Sequence, residues 1–361
     1  MTGNSRHDLL TLACCLNGQI PKDANWDAII ALANRSLTIT SLAAAAKKSK
    51  TQGLPEDVSN YLAMIYARNA ERNCRLKAQL IEASARLNDI GIEPVVMKGT
   101  AVLVSADPEE FGARILTDLD ILVRPENMAA AIETLCHVGY EIELAAGEGS
   151  WPGNTKYHLP VVLVRPAYVG SIDLQCRPRG PSSFGNAEWL HRDSRALDIA
   201  GSRVRVPTPL AQIVLLLLHD QFQDGDYWRG LVDLRHLLDI AKLSRTSPID
   251  WKELRALFAS GYERNAVDTQ IVTADALLGL DRPATIGVGW MARIQFARRH
   301  FQLGRDYLAG PLTLLTLISE LAHYRSWDRF GGEPYPSLRQ ETERKVRELR
   351  RIFRPKPLGK L

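Results

Sequence analysis

The spacing of apolar residues divides the chain into two helical stretches with a β-rich segment between them. From residue 8 to residue 89, apolar side chains recur every three or four positions, which predicts helices, the longest over 56–87. The pattern becomes helical again at Thr208, a predicted N-cap followed by Pro209 at the first helical position. We therefore expect helical regions on both sides of a smaller core.

Short β-branched or alternating runs fill the segment between these helices. The predicted strands are 92–97, 115–123, 140–144, 157–164 and 170–176. The last two are separated by a turn and predict a hairpin. The expected fold class is α/β (α+β), with a small mixed β-sheet core flanked by helical regions. The predicted regions are 1–90 (N-terminal helices), 91–200 (core), 201–343 (C-terminal helices) and 344–361 (basic tail).

Composition excludes several classes of protein for this chain of 361 residues. Hydrophobic residues make up 45% and charged residues 24%, which excludes disordered, collagen-like and disulfide-scaffold proteins. The longest apolar run, 61–67, is far shorter than the roughly 20 residues that cross a bilayer, so we expect no membrane span. The five cysteines lack metal-type and redox-type spacing and are interpreted as reduced thiols in the cytoplasm.

The net charge of +4 and the pI near 8.8 suggest nucleic-acid binding until the charges are located. Residues 344–360 hold eight Lys or Arg and one acid, which leaves the rest of the chain at −3. The basic pI therefore reports the tail and not a substrate channel. We interpret the tail as a solvated helix face, with docking of RNA or an acidic partner as the alternative.

Acidic side chains mark one strand of the predicted core. Asp118 and Asp120 stand two positions apart in the run 115–123, so they share one face of the strand. Asp173, in a later run, can join them from a neighbouring strand. Three converging carboxylates repel one another unless a cation lies among them, and Mg²⁺ prefers such oxygen ligands. The sequence thus predicts a Mg²⁺ site, with Mn²⁺ as an alternative.

A second group of residues is suited to phosphate. Lys98-Gly99-Thr100 stands where a strand ends and a helix begins, a place where backbone amides and the helix dipole favour an anion. Gly99 lets the backbone approach a ligand closely, and Lys98 and Arg114 supply positive charge to a triphosphate. The alternatives are a solvated lysine and a surface ion-pair arginine.

The order of these motifs resembles the nucleotidyltransferase superfamily typified by DNA polymerase beta. More narrowly, it is similar to a bacterial family of uncharacterised nucleotidyltransferases with a Leu-Lys-Gly turn and an Arg-x-x-x-Asp-x-Asp strand, Met97 replacing the Leu. The similarity is densest over 91–176, and the flanking helices agree in order. The interval from Gly99 to Asp118 is longer than in the shortest members, and the family's usual His-Trp pair after the third acid is replaced by Gln175 and Cys176.

The resemblance implies roles for individual residues. Asp118 and Asp120 would be metal ligands, Asp173 a third ligand or the general base, and His158 a contact to phosphate or acceptor. The structural alternative for Asp173 is a strand-end carboxylate bonded to loop amides, and for His158 a hydrogen-bonded core residue.

Two residues of the later helices, His219 and Asp233, also match family positions. We interpret them as helix packing or capping, with a place in the nucleotide cleft as the alternative.

The predicted function is Mg²⁺-dependent transfer of an NMP group from an NTP to a hydroxyl or similar acceptor on a small metabolite or peptide, with release of pyrophosphate. The alternatives are a toxin-type transferase acting on tRNA or protein, a γ-phosphoryl transferase, and a nucleotide-binding regulator without turnover. Intact Asp118 and Asp120 argue against the regulator, since a binding protein needs no metal pair. Oligomeric state is not predicted.

Overall fold

Segments that are distant in the sequence combine into two units. The computed structural model describes residues 5–21, 23–49, 54–144, 161–178, 180–258, 261–282, 287–320 and 356–361. One unit, here the sheet unit, comprises Ser59–Arg179 and Phe184–Leu215. The other, the helical unit, comprises Met1–Val58, Gly180–Ser183 and Leu216–Leu361.

The sheet unit is built on a seven-stranded mixed sheet with the order β3-β4-β5-β2-β1-β7-β6. The strands are β1 Val95–Val96, β2 Asp118–Leu122, β3 Glu141–Leu144, β4 Val161–Val164, β5 Ser171–Gln175, β6 Ser194–Ile199 and β7 Ser202–Pro207. Strand β2 pairs antiparallel with β1 and parallel with β5. This arrangement places two strands of the acidic motifs side by side.

The helices have the bounds α1 Ser5–Leu16, α2 Trp26–Arg35, α3 Ile39–Lys48, α4 Glu56–Asp89, α5 Lys98–Ser105, α6 Met128–His137, α7 Glu188–Arg192, α8 Pro209–Leu217, α9 Asp226–Arg229, α10 Leu234–Thr246, α11 Trp251–Ala256, α12 Gly261–Leu278, α13 Trp290–Gln302 and α14 Ala309–Glu320. A π-helical segment, Leu218–Gln223, continues directly from α8. The mixed α/β class with helical flanks is confirmed. None of the helices within the described ranges is long and apolar enough to span a membrane.

Side-chain alternation along β2 separates an apolar core from an acidic face. Leu119 and Ile121 are fully buried in a core shared with α4 and α6. Leu122 lies on the other face, in a second apolar cluster with Leu190 of α7 and Leu215 of α8. Because successive side chains of a strand point to opposite faces, Asp118 and Asp120 lie on the face of Leu122.

Several predicted elements agree with the structure, and some differ. The hairpin is confirmed where it is described, since β4 and β5 pair antiparallel. The predicted strand 92–97 is reduced to Val95–Val96, because Met97 already begins the turn into α5. The hairpin of β6 and β7 was not predicted, since charged side chains interrupt its apolar pattern.

The capping interpretation of Asp233 is also confirmed. Its side chain accepts a hydrogen bond of 3.1 Å from the backbone N–H of His236 at the start of α10. Of the predicted tail, residues 344–355 lie outside the described residues. Lys360 is buried in the structure and lies outside any helix, so the expectation of a solvated helix face is wrong for this lysine.

Candidate functional site

The three acidic residues of the sequence motifs lie on adjacent strands. Asp118 and Asp120 are two positions apart on β2, and Asp120 is the register partner of Asp173 on β5. Register partners on neighbouring strands point to the same face of a sheet. The parallel pairing of β2 and β5 therefore places all three carboxylates on one face. Of the two aspartates on β2, Asp120 is the more buried, with 5% of its surface exposed.

Lys98 brings a positive charge to this face. The residue follows β1 in the turn that opens α5, and its ammonium lies 2.7 Å from Asp120 Oδ1. Its backbone φ of 47° falls in the left-handed region, which costs a residue other than glycine about 1–3 kcal/mol. The surrounding structure thus holds Lys98 in a strained conformation that presents its side chain to Asp120.

Thr100 supports the same aspartate through its backbone. The buried hydroxyl of Thr100 accepts a hydrogen bond of 2.8 Å from the N–H of Asp120. The Thr100 N–H donates to the carbonyl of Met97 at 2.9 Å. Both groups are engaged within the protein, so Thr100 fixes the turn after β1 against the centre of β2. Its predicted contact with phosphate stays a prediction.

Gly99 and Arg114 are coupled by close packing. A Cβ atom at position 99 would collide with Arg114 Nη1 and would lie 3.1 Å from Leu116 Cδ2. The absence of a side chain at Gly99 therefore makes room for the guanidinium beside the turn. Arg114 is 9% exposed, and its Nη1 donates to the carbonyl of Ile115 at 3.3 Å.

Charge repulsion and burial shift the protonation of the site. Burial, with the neighbouring carboxylates Asp118 and Asp120, raises the pKa of Asp173 from 3.8 to about 7, against the opposing effect of Lys98. Burial alone would lower the pKa of Lys98, but its hydrogen-bonded partner Asp120 and the two other acids leave that pKa above its usual value. The site thus holds more negative charge than its one lysine offsets.

A polar row on α4 holds the loop that precedes β2. Asn69 Nδ2 donates to the carbonyls of Gly112 and Arg114, at 2.9 Å each. Asn73 Nδ2 donates to the carbonyl of Phe111 at 2.7 Å and to that of Arg114 at 3.0 Å. These bonds fix the backbone at Arg114, four residues before Asp118.

The same face of α4 also holds the loop that precedes β5. Arg72 donates to the carbonyls of Leu116 and Val169, the latter at 2.8 Å, and Gln79 Nε2 donates to the carbonyl of Gly170 at 2.9 Å. We call Asn69, Arg72, Asn73 and Gln79 the α4 clamp. Sequence reasoning missed it, because the helix over 56–87 was predicted from its apolar residues alone. The i, i+4 spacing of Asn69 and Asn73 was the available signal.

Comparison with known proteins gives a family for this fold and site. The model of a family described as uncharacterised nucleotidyltransferases matches residues 22–279. The chain belongs to this family. The sheet unit lies entirely within the match, so the acidic face and the Lys98 turn are parts of the region that the family model covers.

A solved structure also resembles this nucleotidyltransferase-family chain. It is the crystal structure of an antigenic nucleotidyltransferase-like protein from Paracoccidioides brasiliensis, 17% identical with a TM-score of 0.35. The alignment covers 59% of this chain and 96% of that chain. No curated protein matches the sequence.

One of the two residues that replace the family's usual His-Trp pair, Gln175, lies beside the acidic face. Gln175 ends β5, and its Nε2 lies 3.4 Å from Asp120 Oδ1. The amide therefore approaches the carboxylate oxygen that Lys98 also holds. His158 lies outside the described residues, so its predicted contact stays a prediction.

A second titratable cluster lies in the helical unit. Within the described residues, His219, Asp220 and His236 are the one group of possible metal ligands whose donor atoms all come within 4.8 Å of one another. The carboxylate oxygens of Asp118, Asp120 and Asp173 do not all come within 4.8 Å of one another. Lys360 joins the second cluster at 3.0 Å from Asp220 Oδ1. Its burial was not foreseen, because its partners are more than 120 residues away in the sequence.

Proposed function

We propose that this family member transfers a nucleotidyl group from an NTP to a hydroxyl or similar acceptor, with release of pyrophosphate. The observation that carries the proposal is the in-register pairing of Asp120 with Asp173 beside Asp118, with the Lys98 ammonium 2.7 Å from Asp120. Membership of a nucleotidyltransferase family supports the reaction type.

The acidic face suits a divalent cation of the Mg²⁺ type. Its donors are carboxylate oxygens, and burial with mutual repulsion raises the pKa of Asp173 to about 7. That repulsion would be relieved by a cation held by Asp118 and Asp120, with Asp173 as third ligand or base. When bound, Mg²⁺ would neutralise charge on the phosphates and on the leaving pyrophosphate. Mn²⁺ is the alternative metal.

The chain's own residues have separate tasks in this proposal. Lys98 binds the triphosphate as a point charge, and its strained backbone keeps the ammonium at the acidic face. Arg114 is held beside the turn by the space at Gly99 and by the α4 clamp, so its guanidinium is positioned before substrate arrives. Asp173 accepts the proton of the attacking hydroxyl if it is not itself a metal ligand.

We propose a small metabolite or peptide as the acceptor class, with an RNA end as the second candidate. Labelled substrate separates the reaction types. The protein is incubated with Mg²⁺ and each of the four NTPs carrying either an α or a γ label. The label is followed into water, a pool of hydroxyl-bearing small metabolites, a peptide library and total tRNA. Asp118→Asn with Asp120→Asn serves as the matched inactive control.

The outcomes distinguish the proposal from its alternatives. Transfer of α label, with equimolar pyrophosphate and none in the control variant, supports the proposal. The acceptor that takes the label separates metabolite or peptide from tRNA. Transfer of γ label would contradict it in favour of phosphoryl transfer, and NTP binding without any transfer would favour a regulator.

A further inference from the structure

A lysine side chain is buried among four carboxylates in the helical unit. Lys360 Nζ lies 2.6 Å from Asp226 Oδ2, 3.0 Å from Asp220 Oδ1, 3.2 Å from Asp224 Oδ2 and 3.6 Å from Asp233 Oδ2. Lys360 is 4% exposed, and Asp220 and Asp226 are fully buried. One ammonium therefore stands at a position where several negative charges converge, which is the electrostatic situation of a bound cation.

Two imidazoles face the same carboxylate oxygen as this ammonium. His236 Nδ1 lies 2.7 Å and His219 Nδ1 3.3 Å from Asp220 Oδ1. Asp224 Oδ2 lies 3.6 Å from His219 Nδ1 and can add a further oxygen. Two imidazoles with a carboxylate form a donor set that binds first-row divalent transition metals in preference to Mg²⁺.

One buried oxygen of the cluster is left without a hydrogen bond. Asp226 holds Lys360 through Oδ2, but its Oδ1 is buried and has no hydrogen-bond partner within the described part of the chain. A buried carboxylate oxygen without a partner is costly. Lys360, with three N–H donors, thus satisfies the cluster incompletely, and a divalent cation would carry twice its charge.

The residues of the donor set are held independently of Lys360. His219 and Asp220 belong to the π-helical segment Leu218–Gln223, and His236 belongs to α10. Gln270 Nε2 donates to Asp220 Oδ2 at 3.0 Å and so orients this carboxylate from α12. Such a contact to the non-coordinating oxygen is what fixes a metal ligand in place.

The segment that carries Lys360 is attached by a short backbone bridge. The N–H of Val232 donates to the carbonyl of Leu361 at 3.1 Å, and the N–H of Leu361 donates to the carbonyl of Val232 at 2.8 Å. The bridge pairs Lys360 with Asp233 and is separate from the sheet. Undocking of the segment breaks these two bonds and a third, from the N–H of Gly359 to the carbonyl of Arg35 at 3.1 Å, and none of the three belongs to the helical segments that carry the ligands.

We propose that His219, Asp220 and His236 form a site for a divalent transition metal, and that Lys360 is its competitor within the chain. In the metal-free protein the ammonium occupies the cation position. Metal binding expels the ammonium, so occupancy of the site and docking of the 356–361 segment exclude each other. This proposal is independent of the nucleotidyl-transfer reaction.

Cobalt titration of the full chain tests the proposal directly. Every variant carries Asp118→Asn and Asp120→Asn, so that the acidic face of the sheet unit does not contribute. Lys360→Met is compared with Lys356→Met, a matched control on the same segment whose ammonium lies 4.0 Å from Asp306 Oδ1. Co²⁺ is followed by its visible absorption, and Zn²⁺ by competition with Co²⁺.

We expect Lys360→Met to bind one Co²⁺ about tenfold more tightly than Lys356→Met, because the competing ammonium is gone. Adding His236→Ala should remove the absorption band. Equal affinity of the two lysine variants, or a band that survives His236→Ala, would overturn the proposal.

A second measurement uses the unmodified chain and covers the case in which Lys360→Met fails to fold. Lysines are acetylated with and without Zn²⁺, and the labelled peptides are quantified by mass spectrometry. We expect Zn²⁺ to raise labelling of Lys360 at least about threefold relative to Lys356. Unchanged labelling of Lys360 at a Zn²⁺ concentration that saturates the protein would refute the competition.

Discussion

The ammonium of Lys98 and the carboxylate of Asp120 form an ion pair of 2.7 Å between the turn after β1 and the centre of β2. Both side chains are largely buried, at 17% and 7% exposure. A buried pair leaves a costly unpaired charge when one partner is removed. The relationship therefore links the stability of the sheet unit to the residue we assign to the triphosphate.

Replacing Lys98 with Met should affect both properties. Asp120 loses its cation, and we expect the free energy of unfolding to fall by about 3 kcal/mol. Loss of the Lys98 ammonium, which we assign to the triphosphate, should lower kcat/KM by about 100-fold. Urea unfolding and initial rates with labelled NTP measure the two effects. Lys98→Arg keeps the charge and is the control, and wild-type rates in Lys98→Met would remove Lys98 from the site.

Adding a methyl group at Gly99 should displace Arg114. The new Cβ collides with Arg114 Nη1, so we expect Gly99→Ala to lose about 1–3 kcal/mol of stability and at least about tenfold in kcat/KM. Gly287→Ala is the control, since no atom lies within 4 Å of the corresponding Cβ position. Adding Arg114→Ser to Gly99→Ala should restore the stability that Gly99→Ala loses, because the clash is gone. It should not restore the activity, because the guanidinium is also gone. If the effects of Gly99→Ala and Arg114→Ser on the free energy of unfolding were simply additive, the coupling would be contradicted.

Removing the α4 clamp should alter catalysis at a distance. In Asn69→Ala with Asn73→Ala, the carbonyl of Arg114 loses two hydrogen bonds, so the loop before β2 becomes looser. We expect about 1 kcal/mol of stability to be lost per asparagine and kcat/KM to fall by about tenfold. Asn60→Ala, at an exposed position of the same helix, is the control. Equal rates in both variants would limit the clamp to folding.

Asp173→Asn should stabilise the metal-free protein and abolish transfer. The folded state holds the Asp173 proton more tightly than the unfolded chain, since its pKa rises from 3.8 to about 7. Its contribution to stability is therefore fully present below about pH 4 and is lost as the pH rises to about 7. Asparagine carries no such pH dependence. In EDTA we expect the Tm of Asp173→Asn to exceed that of the wild type by about 5 °C at pH 8.

The difference in Tm between Asp173→Asn and the wild type should shrink as the pH falls, which provides the internal control. The two proteins should have nearly equal Tm at pH 4, where Asp173 is protonated in the folded state. Mg²⁺ should raise the Tm of the wild type more than that of the variant. A constant difference between the two proteins from pH 4 to pH 8 would contradict the assigned repulsion.

Local patterns in the sequence predicted the hairpin of β4 and β5 and the long helix α4, because period and length are local properties. The β6–β7 hairpin was missed for a local reason as well. Arg195, Asp198 and Arg203 interrupt its apolar pattern, and its two-residue turn uses Ala200 with a positive φ, where glycine or asparagine would be the usual signal.

The candidate site was only partly accessible to sequence reasoning. The common face of Asp118 and Asp120 follows from their spacing, but the register that brings Asp173 beside Asp120 depends on which strands become neighbours. Lys360 shows the same limit. Its charge was counted in the basic tail, and nothing near it in the sequence indicates that Asp220 and Asp226 will surround it.

The α4 clamp has a further consequence for how this family can diverge. Its asparagine, arginine and glutamine side chains all bond to backbone carbonyls of the two loops. Such bonds do not depend on which side chains the loops carry. The stretch between the end of α5 and Phe111 can therefore change in composition and length while the strand that follows keeps its position. Relatives should then be recognisable by Arg114, the aspartates and the polar row on the helix, even where the stretch between α5 and Phe111 has no common sequence.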